Sequence, residues 1–163
     1  MKFNLSYDDG DSMGAGAITG QQTVEKFGNK DLNQDGVIIN LAIVGSSRFY
    51  DISVFEAVLD DWIDEMAYPD LIILGGSSGI DFLAERWAGN NLIPVAVFSE
   101  EWEIERKGLF DEGRAEAGNL LTSKILDAAT HVLAMPSTTS KWTRIVINFA
   151  EERGIPVTIH ELD

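Results

Sequence analysis

The sequence predicts a three-layer α/β domain built on a mainly parallel, five-stranded sheet. Short apolar runs rich in valine and isoleucine alternate along the chain with segments whose apolar residues recur every three or four positions. This alternation of strands and helices is typical of parallel sheets. The 163 residues suffice for one domain, and a composition of 45% hydrophobic and 24% charged residues is that of a globular protein.

The predicted strands are short, and each ends in a loop or turn. The first is an apolar run broken only by Asn40, as expected for a strand that is buried on both faces. The five strands are 37–44, 71–74, 94–98, 131–135 and 155–159. Because strands and helices alternate, right-handed crossovers predict parallel strands with helices on both faces, as in Rossmann-like folds.

The predicted helices each have one apolar face. Ser53 and Glu56 have the spacing of a capping box at the start of the first helix. Trp62 and Trp87 lie on apolar faces, which predicts that both are core residues. The helical segments are 53–66, 80–88, 115–128 and 145–150.

Residues 1–36 have no sustained helical or strand period and contain many Gly, Asp, Asn and Ser residues. We predict that they form a polar N-terminal extension that is partly ordered at best. The Rossmann-like domain is predicted to comprise residues 37–163.

One segment of the extension resembles a calcium loop. Asp31, Asn33, Asp35 and Gly36 match the first half of an EF-hand loop, but its twelfth position, which should supply a bidentate carboxylate, is Ala42. We interpret this segment as a polar turn leading into the sheet, with a weak ion site as the alternative. No metal site is predicted.

The charge of the chain limits its partners. Its formal net charge is −15, with 27 acidic against 12 basic residues spread along the chain. Such a surface repels nucleic-acid phosphates, so no nucleic-acid partner is expected. There is no cysteine and no apolar run of transmembrane length, and the N-terminus lacks the pattern of a signal peptide. We therefore expect a cytoplasmic protein without membrane contact.

Two predicted loops have the composition of an anion-binding site. They follow the first two strands and read Gly45-Ser46-Ser47-Arg48 and Gly75-Gly76-Ser77-Ser78-Gly79-Ile80-Asp81. Glycines allow the backbone to approach a ligand, serines add hydroxyl groups, and a helix N-terminus attracts negative charge. The alternative is a pair of tight turns in which Ser78 and Asp81 form only a helix cap.

The loop after the fourth strand is also rich in hydroxyl groups. It contains Pro136, Ser140, Trp142 and Thr143. In parallel sheets ligands bind at the carboxyl ends of the strands, so three such loops are expected to meet at one edge. Polar surface loops without a ligand remain the alternative.

Several motifs together resemble the SLOG superfamily, which contains the Smf/DprA proteins and the LOG phosphoribohydrolases. The motifs are Ile43-Val-Gly-Ser-Ser-Arg-Phe-Tyr-Asp51, Gly75-Gly-Ser-Ser-Gly-Ile-Asp81, Leu83-Ala-Glu-Arg-Trp87, Glu101-Trp102 and Gly154-Ile-Pro-Val157. The resemblance spans about 37–159 and is greatest to the small YspA/YpsA-related branch. It implies a Rossmann-like fold and binding of nucleotides or nucleotide-derived molecules, without a settled activity.

The chain departs from that family pattern in several ways, among them Trp142-Thr143 in place of the usual Gly-Thr after the fourth strand. The arginine of the first loop is displaced by one residue to Arg48. The family's Arg-Asn pair is absent from Ala117-Gly-Asn-Leu-Leu-Thr122, and Val146 stands where LOG enzymes have a glutamate. The hydrolytic carboxylate that the resemblance to LOG enzymes would imply is therefore missing.

Asp81 and Glu101 are the candidate catalytic residues, because no histidine is well placed. Glu101 belongs to a cluster with Glu100, Glu103 and Glu105, which is either a solvated acidic face or a source of an acid, a base or a Mg²⁺ ligand. Mg²⁺ is accordingly the one cofactor we consider. The candidate ligand-binding residues are those of the three loops named above, together with Asp81, Trp102 and Lys107. Trp102 and Trp142 are interpreted either as pocket walls or as loop packing.

The expected function is binding of a small phosphate-bearing nucleotide or nucleotide-derived ligand, as a sensor, sequestering or carrier module. The alternative is a hydrolase or transferase that acts on the N-glycosidic or phosphoester bond of such a ligand. Self-association into a homo-oligomer is a further expectation. Gly76 and Gly79 are expected to be required for binding rather than for folding, with Gly89 as a control outside the site.

Overall fold

A computed structural model describes residues 19–99 and 111–162, with only the helical backbone described for 111–119. Within these residues there are five α-helices and five strands. The helices are α1 (Gly20–Phe27), α2 (Ile52–Glu65), α3 (Ile80–Asn90), α4 (Asp111–Ala128) and α5 (Lys141–Glu152). The strands are β1 (Asn40–Gly45), β2 (Leu71–Leu74), β3 (Val95–Val97), β4 (His131–Met135) and β5 (Val157–Ile159).

The five strands form one sheet in the order β3-β2-β1-β4-β5, and every pair is parallel. The predicted fold class is therefore confirmed. The chain runs from β1 outward to β3 and then returns to the other side of β1, so the strand order reverses between β1 and β4. Ligands of open α/β sheets bind at the carboxyl ends of the strands beside such a reversal.

The sheet is covered on both faces. On one face, α2 and α3 pack Phe55, Leu59, Trp62, Leu83 and Trp87 against the sheet. The other face is covered by α1, α4 and α5. Trp62 and Trp87 are buried, which confirms the prediction that both are core residues.

Helix α1 is an element that the sequence pattern did not predict. Thr19 and Gln22 form a capping box at its start, with side-chain-to-backbone bonds of 3.1 and 2.9 Å. Gly20 lies so close to β3 that a β-carbon there would come 2.6 Å from the Val97 carbonyl oxygen. A helix of eight residues with only Val24 and Phe27 as large apolar residues gives too short a pattern to recognise.

The hydrogen bonds of Asn40 explain why the buried strand β1 contains one polar residue. Its side chain is fully buried and donates hydrogen bonds to Asn29 Oδ1 (3.0 Å) and to the Ala128 carbonyl oxygen (3.1 Å). It thereby joins the segment after α1 to the end of α4.

The start of α2 differs from the prediction. Its N-cap is Asp51, whose carboxylate accepts hydrogen bonds from the N–H groups of Ser53 and Val54 at 3.1 and 3.3 Å. The predicted capping box of Ser53 and Glu56 is wrong, because Ser53 already lies inside the helix. In the described part of the chain, no helix is both long and apolar enough to cross a membrane.

Candidate functional site

The loops after β1 and β2 are in direct contact. Gly79 is the N-cap of α3 and has φ 62° and ψ −128°. The next residue, Ile80, donates its N–H to the Ser46 carbonyl oxygen at 2.9 Å. A β-carbon at Gly79 would overlap the Ser46 carbonyl oxygen and lie 2.6 Å from the Ser47 Cα. Only glycine therefore lets the two loops approach this closely.

The loop after β1 is also joined to the end of β4. Ser46 donates its N–H to the Met135 carbonyl oxygen at 3.1 Å. At Gly45, a β-carbon would lie 2.6 Å from that oxygen and 2.8 Å from the Ile80 side chain. The three predicted loops thus meet at one edge of the sheet, where the strand order reverses.

The backbone of the loop after β2 presents unused donors. Within the described residues, the N–H groups of Gly76, Ser77, Ser78 and Gly79 donate to no protein acceptor. The side chains of Ser77 and Ser78 are exposed. A run of free backbone N–H groups is a common form of anion site.

The start of α3 itself offers fewer donors than the sequence suggested. The N–H groups of Ile80 and Asp81 donate to the carbonyl oxygens of Ser46 (2.9 Å) and Ser78 (3.2 Å). No side chain caps α3, so the alternative in which Ser78 and Asp81 form a helix cap is wrong. The free donors therefore belong to the loop rather than to the first turn of the helix.

Asp81 is the most unusual residue at this edge. Its side chain is only 8% exposed, and its Oδ1 is fully buried without a hydrogen-bond partner in the described part of the protein. Burial, with a smaller contribution from the Glu85 carboxylate, raises the pKa of Asp81 to about 7. Its Oδ2 would lie 3.0 Å from a β-carbon at Gly76. The carboxyl group therefore lies beside Gly76, the first residue of the loop with a free N–H group.

Arg48 is the cationic side chain of the first loop. Its backbone N–H donates to Ser46 Oγ at 3.2 Å, while its side chain is exposed and forms no ion pair with the described residues. The guanidinium group is thus available to an anion at this edge.

The loop after β4 uses its hydroxyl groups internally. The Ser140 hydroxyl lies 3.0 Å from the Ser137 hydroxyl and accepts the Ser137 N–H at 3.0 Å. Pro136 and Thr143 are buried, and Arg144 donates to the Ser137 carbonyl oxygen at 2.9 Å. This loop adjoins the site through β4, but the Ser140 hydroxyl is engaged within the loop.

Trp142 packs between two helices and the loop after β2. Its Nε1 donates to the Thr122 hydroxyl at 2.9 Å, and Thr122 is fully buried. A β-carbon at Gly75 would lie 2.9 Å from the Trp142 ring and 2.8 Å from Ile125. Gly75 is therefore required for packing beneath the loop, and Trp142 supports the loop from behind.

Two exposed aromatic residues next to the site were not among the predicted site residues. The Tyr50 and Phe82 rings lie 5.9 Å apart at an angle of 58°, with 55% and 40% of each residue exposed. Tyr50 follows the first loop, and Phe82 follows Asp81. The signal in the sequence is weak, since Phe82 is simply an apolar residue outside the buried face of α3.

Some predicted site residues lie outside the described residues. These are Glu101, Trp102 and Lys107, together with Glu100, Glu103 and Glu105. The catalytic and ligand-binding roles predicted for them, and the Mg²⁺ considered for the acidic cluster, stay predictions.

The polar turn before β1 brings three carboxylates together. Asp31, Asp35 and Asp70 have oxygen atoms within 4.8 Å of one another. The Asp31 carboxylate accepts the N–H groups of Asp35 and Gly36 (3.1 and 2.8 Å), and the bond from Gly36 is the main reason that the pKa of Asp31 is lowered. The carboxylates thus fix the turn, and Ala42 is buried within β1.

Comparison with protein families finds a match for the segment that contains the loops after β1 and β2. Residues 39–104 match the model of the YAcAr family, described as the YspA, cpYpsA-related SLOG family. The matched segment runs from the residue before β1 to beyond β3 and includes the loops that meet at Gly79. A search of curated proteins finds no match. The match confirms the resemblance to the YspA-related branch of the SLOG superfamily.

Proposed function

We propose that this protein, whose residues 39–104 carry a YspA- and cpYpsA-related SLOG segment, binds a small phosphate-bearing nucleotide or nucleotide-derived ligand at the carboxyl edge of its sheet. The SLOG family relationship indicates binding or processing of a nucleotide-related ligand. The protein would act as a sensor, sequestering or carrier module. The observation that carries this proposal is the run of free N–H groups from Gly76 to Gly79, held against the first loop by the Gly79 contact.

Free backbone N–H donors favour a phosphate group as the ligand. Backbone N–H groups pointing into one concavity stabilise an anion without basic side chains, and the N-terminus of α3 adds a favourable dipole. Arg48 supplies a guanidinium group at the same edge. A net charge of −15 makes other parts of the surface unfavourable for a phosphate, so binding should be confined to this local site.

An aromatic surface next to the loops favours a nucleotide over inorganic phosphate. Tyr50 and Phe82 keep exposed ring surface within a few residues of Arg48 and Asp81. Exposed aromatic rings are surfaces on which nucleobases stack, with about 1–3 kcal/mol per stacked base.

An enzymatic function is the second candidate, and one observation favours it. A buried carboxyl group with a pKa of about 7, as at Asp81, has the property of a general acid or base near neutral pH. Asp81 would then assist cleavage of the N-glycosidic or phosphoester bond of the bound ligand. Incubation with nucleoside monophosphates and NAD, followed by chromatography for free base, tests this alternative. Turnover that survives Asp81→Asn would argue against this role.

Binding is tested by thermal-shift and calorimetric titration of the full chain with nucleoside mono-, di- and triphosphates, NAD metabolites and cyclic nucleotides. We expect at least one phosphate-bearing member to raise the melting temperature, and Arg48→Ala to weaken its binding. Lys30→Ala is the matched control, because Lys30 lies in the turn before β1, away from the three loops. A flat response over the whole panel would contradict the proposed function.

A further inference from the structure

Burial of the Asp81 carboxyl group destabilises the protein, and no contact within the described residues compensates for this loss of stability. A buried polar atom without a hydrogen bond destabilises a protein, and a buried charge does so more strongly. Asp81 does not cap α3, whose N-cap is Gly79, and its Oδ1 has no partner in the described part of the protein. A group retained at such a cost is expected to bind something that is absent from the free protein.

The position of Asp81 restricts what that partner is. Its Oδ2 lies beside Gly76, where the run of free N–H groups begins. A phosphate placed against the carboxyl group would be repelled, whereas a hydrogen-bond donor would be attracted. The site therefore favours a negatively charged group at the loop and a hydrogen-bond donor at Asp81.

We propose that Asp81 accepts, at the Oδ2 atom beside Gly76, a hydrogen bond from a ribose hydroxyl group of a ligand whose phosphate is held by the N–H groups of 76–79. The proposal rests on the proposed function and narrows the ligand to the class of ribose phosphates. A sugar phosphate carries an anion and hydroxyl donors within one small unit. The base of a nucleoside 5′-phosphate lies farther from the phosphate, so its amino groups fit this close juxtaposition less well.

The raised pKa of Asp81 is consistent with a carboxyl group that lacks a hydrogen-bond donor. Burial and Glu85 raise its pKa to about 7, and within the described residues neither carboxyl oxygen accepts a hydrogen bond that would oppose this rise. A hydroxyl group bonded to the carboxylate would supply the donor that the site lacks.

The test compares the four ribonucleoside 5′-monophosphates with their 2′,3′-dideoxy counterparts by isothermal titration calorimetry. Ribose 5-phosphate and inorganic pyrophosphate are included. We expect the full-length protein to bind at least one ribonucleotide at least about tenfold more tightly than its dideoxy counterpart, as for a lost hydrogen bond to a charged group.

Variants assign that preference to Asp81. Asp81→Ala should bind the ribo and dideoxy forms with nearly equal affinity, whereas Asp60→Ala, which removes an exposed carboxylate of α2, should keep the natural preference. Asp81→Asn retains the shape of the side chain but only a neutral acceptor, so it should give an intermediate preference. Circular dichroism checks that each variant is folded, and Asp81→Asn provides the test if Asp81→Ala does not fold.

The outcomes separate this inference from the proposed function. Equal affinity of the natural protein for the ribo and dideoxy forms would overturn the role of Asp81 and leave phosphate binding intact. A preference for the ribo form that persists in Asp81→Ala would have the same meaning. Binding of pyrophosphate without binding of any ribose phosphate overturns the inference, and a flat response over the nucleotide panel would then overturn the proposed function as well. If none of these compounds binds and the wider panel is flat, both proposals fail.

Discussion

A β-carbon at Gly79 would lie 2.6 Å from the Ser47 Cα, so the two loops of the candidate site pack directly against each other. The positive φ of 62° at Gly79 is a second reason why this position requires glycine. That Gly79 is required for binding stays a prediction, but the geometry indicates that glycine is also required for folding, because any side chain there would push the loops apart.

Gly79→Ala should lower the free energy of unfolding by about 3 kcal/mol or more, since backbone strain and steric overlap add. Chemical denaturation measures this change. Gly89→Ala is the control, because Gly89 is exposed in α3 and a β-carbon there would meet no atom within 4 Å. Equal stability of the two variants would show that the loops do not make the contact described.

Gly76→Ala should separate binding from folding better than any change at Gly79. The φ of Gly76 is not positive, and a β-carbon would meet only the Asp81 carboxyl group, at 3.0 Å. We expect a loss of stability within about 1 kcal/mol and at least about tenfold weaker binding of a phosphate ligand found by the nucleotide panel, because the new methyl group would stand against the Asp81 carboxyl group in the loop that presents the free N–H groups.

Gly75→Ala is the matched variant at the neighbouring position. Its β-carbon would lie 2.8 Å from Ile125 and 2.9 Å from Trp142, which is overpacking that typically costs about 1–3 kcal/mol. Denaturation and calorimetry of both variants decide between the two roles. A larger stability loss for Gly76→Ala than for Gly75→Ala would contradict the distinction.

The difference in free energy of unfolding between Asp81→Ala and the natural chain should shift in favour of the variant as pH rises from 4 to 8. The unfolded chain loses the Asp81 proton near pH 3.8, whereas the folded protein keeps it until about pH 7. The folded state therefore binds more protons over this interval, and the natural protein loses stability as pH rises through it. At about 1.4 kcal/mol per pKa unit the loss reaches at most about 4 kcal/mol, and it is absent below pH 3.8.

Urea denaturation at several pH values measures this difference curve. The constant part of the difference reflects lost packing and is not diagnostic, so the slope with pH is the quantity of interest. Asp60→Ala, at an exposed position of α2, gives the background of a lost surface carboxylate. A difference curve for Asp81→Ala that is flat from pH 4 to 8 would contradict the raised pKa.

Leu92→Gly should raise the free energy of unfolding by about 0.5–1 kcal/mol. Leu92 follows α3 with φ 58° and is 89% exposed, so its side chain gains little from burial while its backbone is strained. The bond from the Ile93 N–H to the Ala88 carbonyl oxygen, at 2.9 Å, shows that a Schellman turn ends the helix.

Helix α5 provides the internal control for this change. It ends in the same turn, with Ile155 donating to Ala150 at 2.9 Å, but the residue with positive φ is Gly154. Since a β-carbon at Gly154 would meet no atom within 4 Å, Gly154→Ala should cost about 1 kcal/mol through backbone strain alone. If the melting temperatures of Leu92→Gly and Gly154→Ala shifted in the same direction, backbone strain at the position of positive φ would be excluded as the explanation.

The sequence predicted most of the sheet because buried parallel strands have a strong local signal. The prediction for β2 gives the observed bounds, Leu71–Leu74, and that for β4 gives His131–Met135. Helix starts were less predictable. Asp51 and Ser53 are both good capping residues, and the choice between them depends on how the chain leaves the first loop, which is a tertiary property.

The candidate site was predictable in location but not in detail. Glycines and serines at strand ends indicated where loops meet, whereas the sequence could not show that Ile80 and Asp81 would lose their N–H groups to neighbouring carbonyl oxygens. The roles of adjacent glycines also depend on contacts between distant segments. Gly75 packs beneath Trp142, and Gly76 faces Asp81.

The packing of α1 against β3 has a practical consequence for producing the protein. A recombinant chain that began at residue 37, where the apolar pattern starts, would lack the helix that places Gly20 over Val97 and Phe98. The sheet face beneath α1 would then be open to water and to other chains, and we expect poor solubility. The shortest well-behaved fragment should instead begin before Thr19, some twenty residues ahead of the family match.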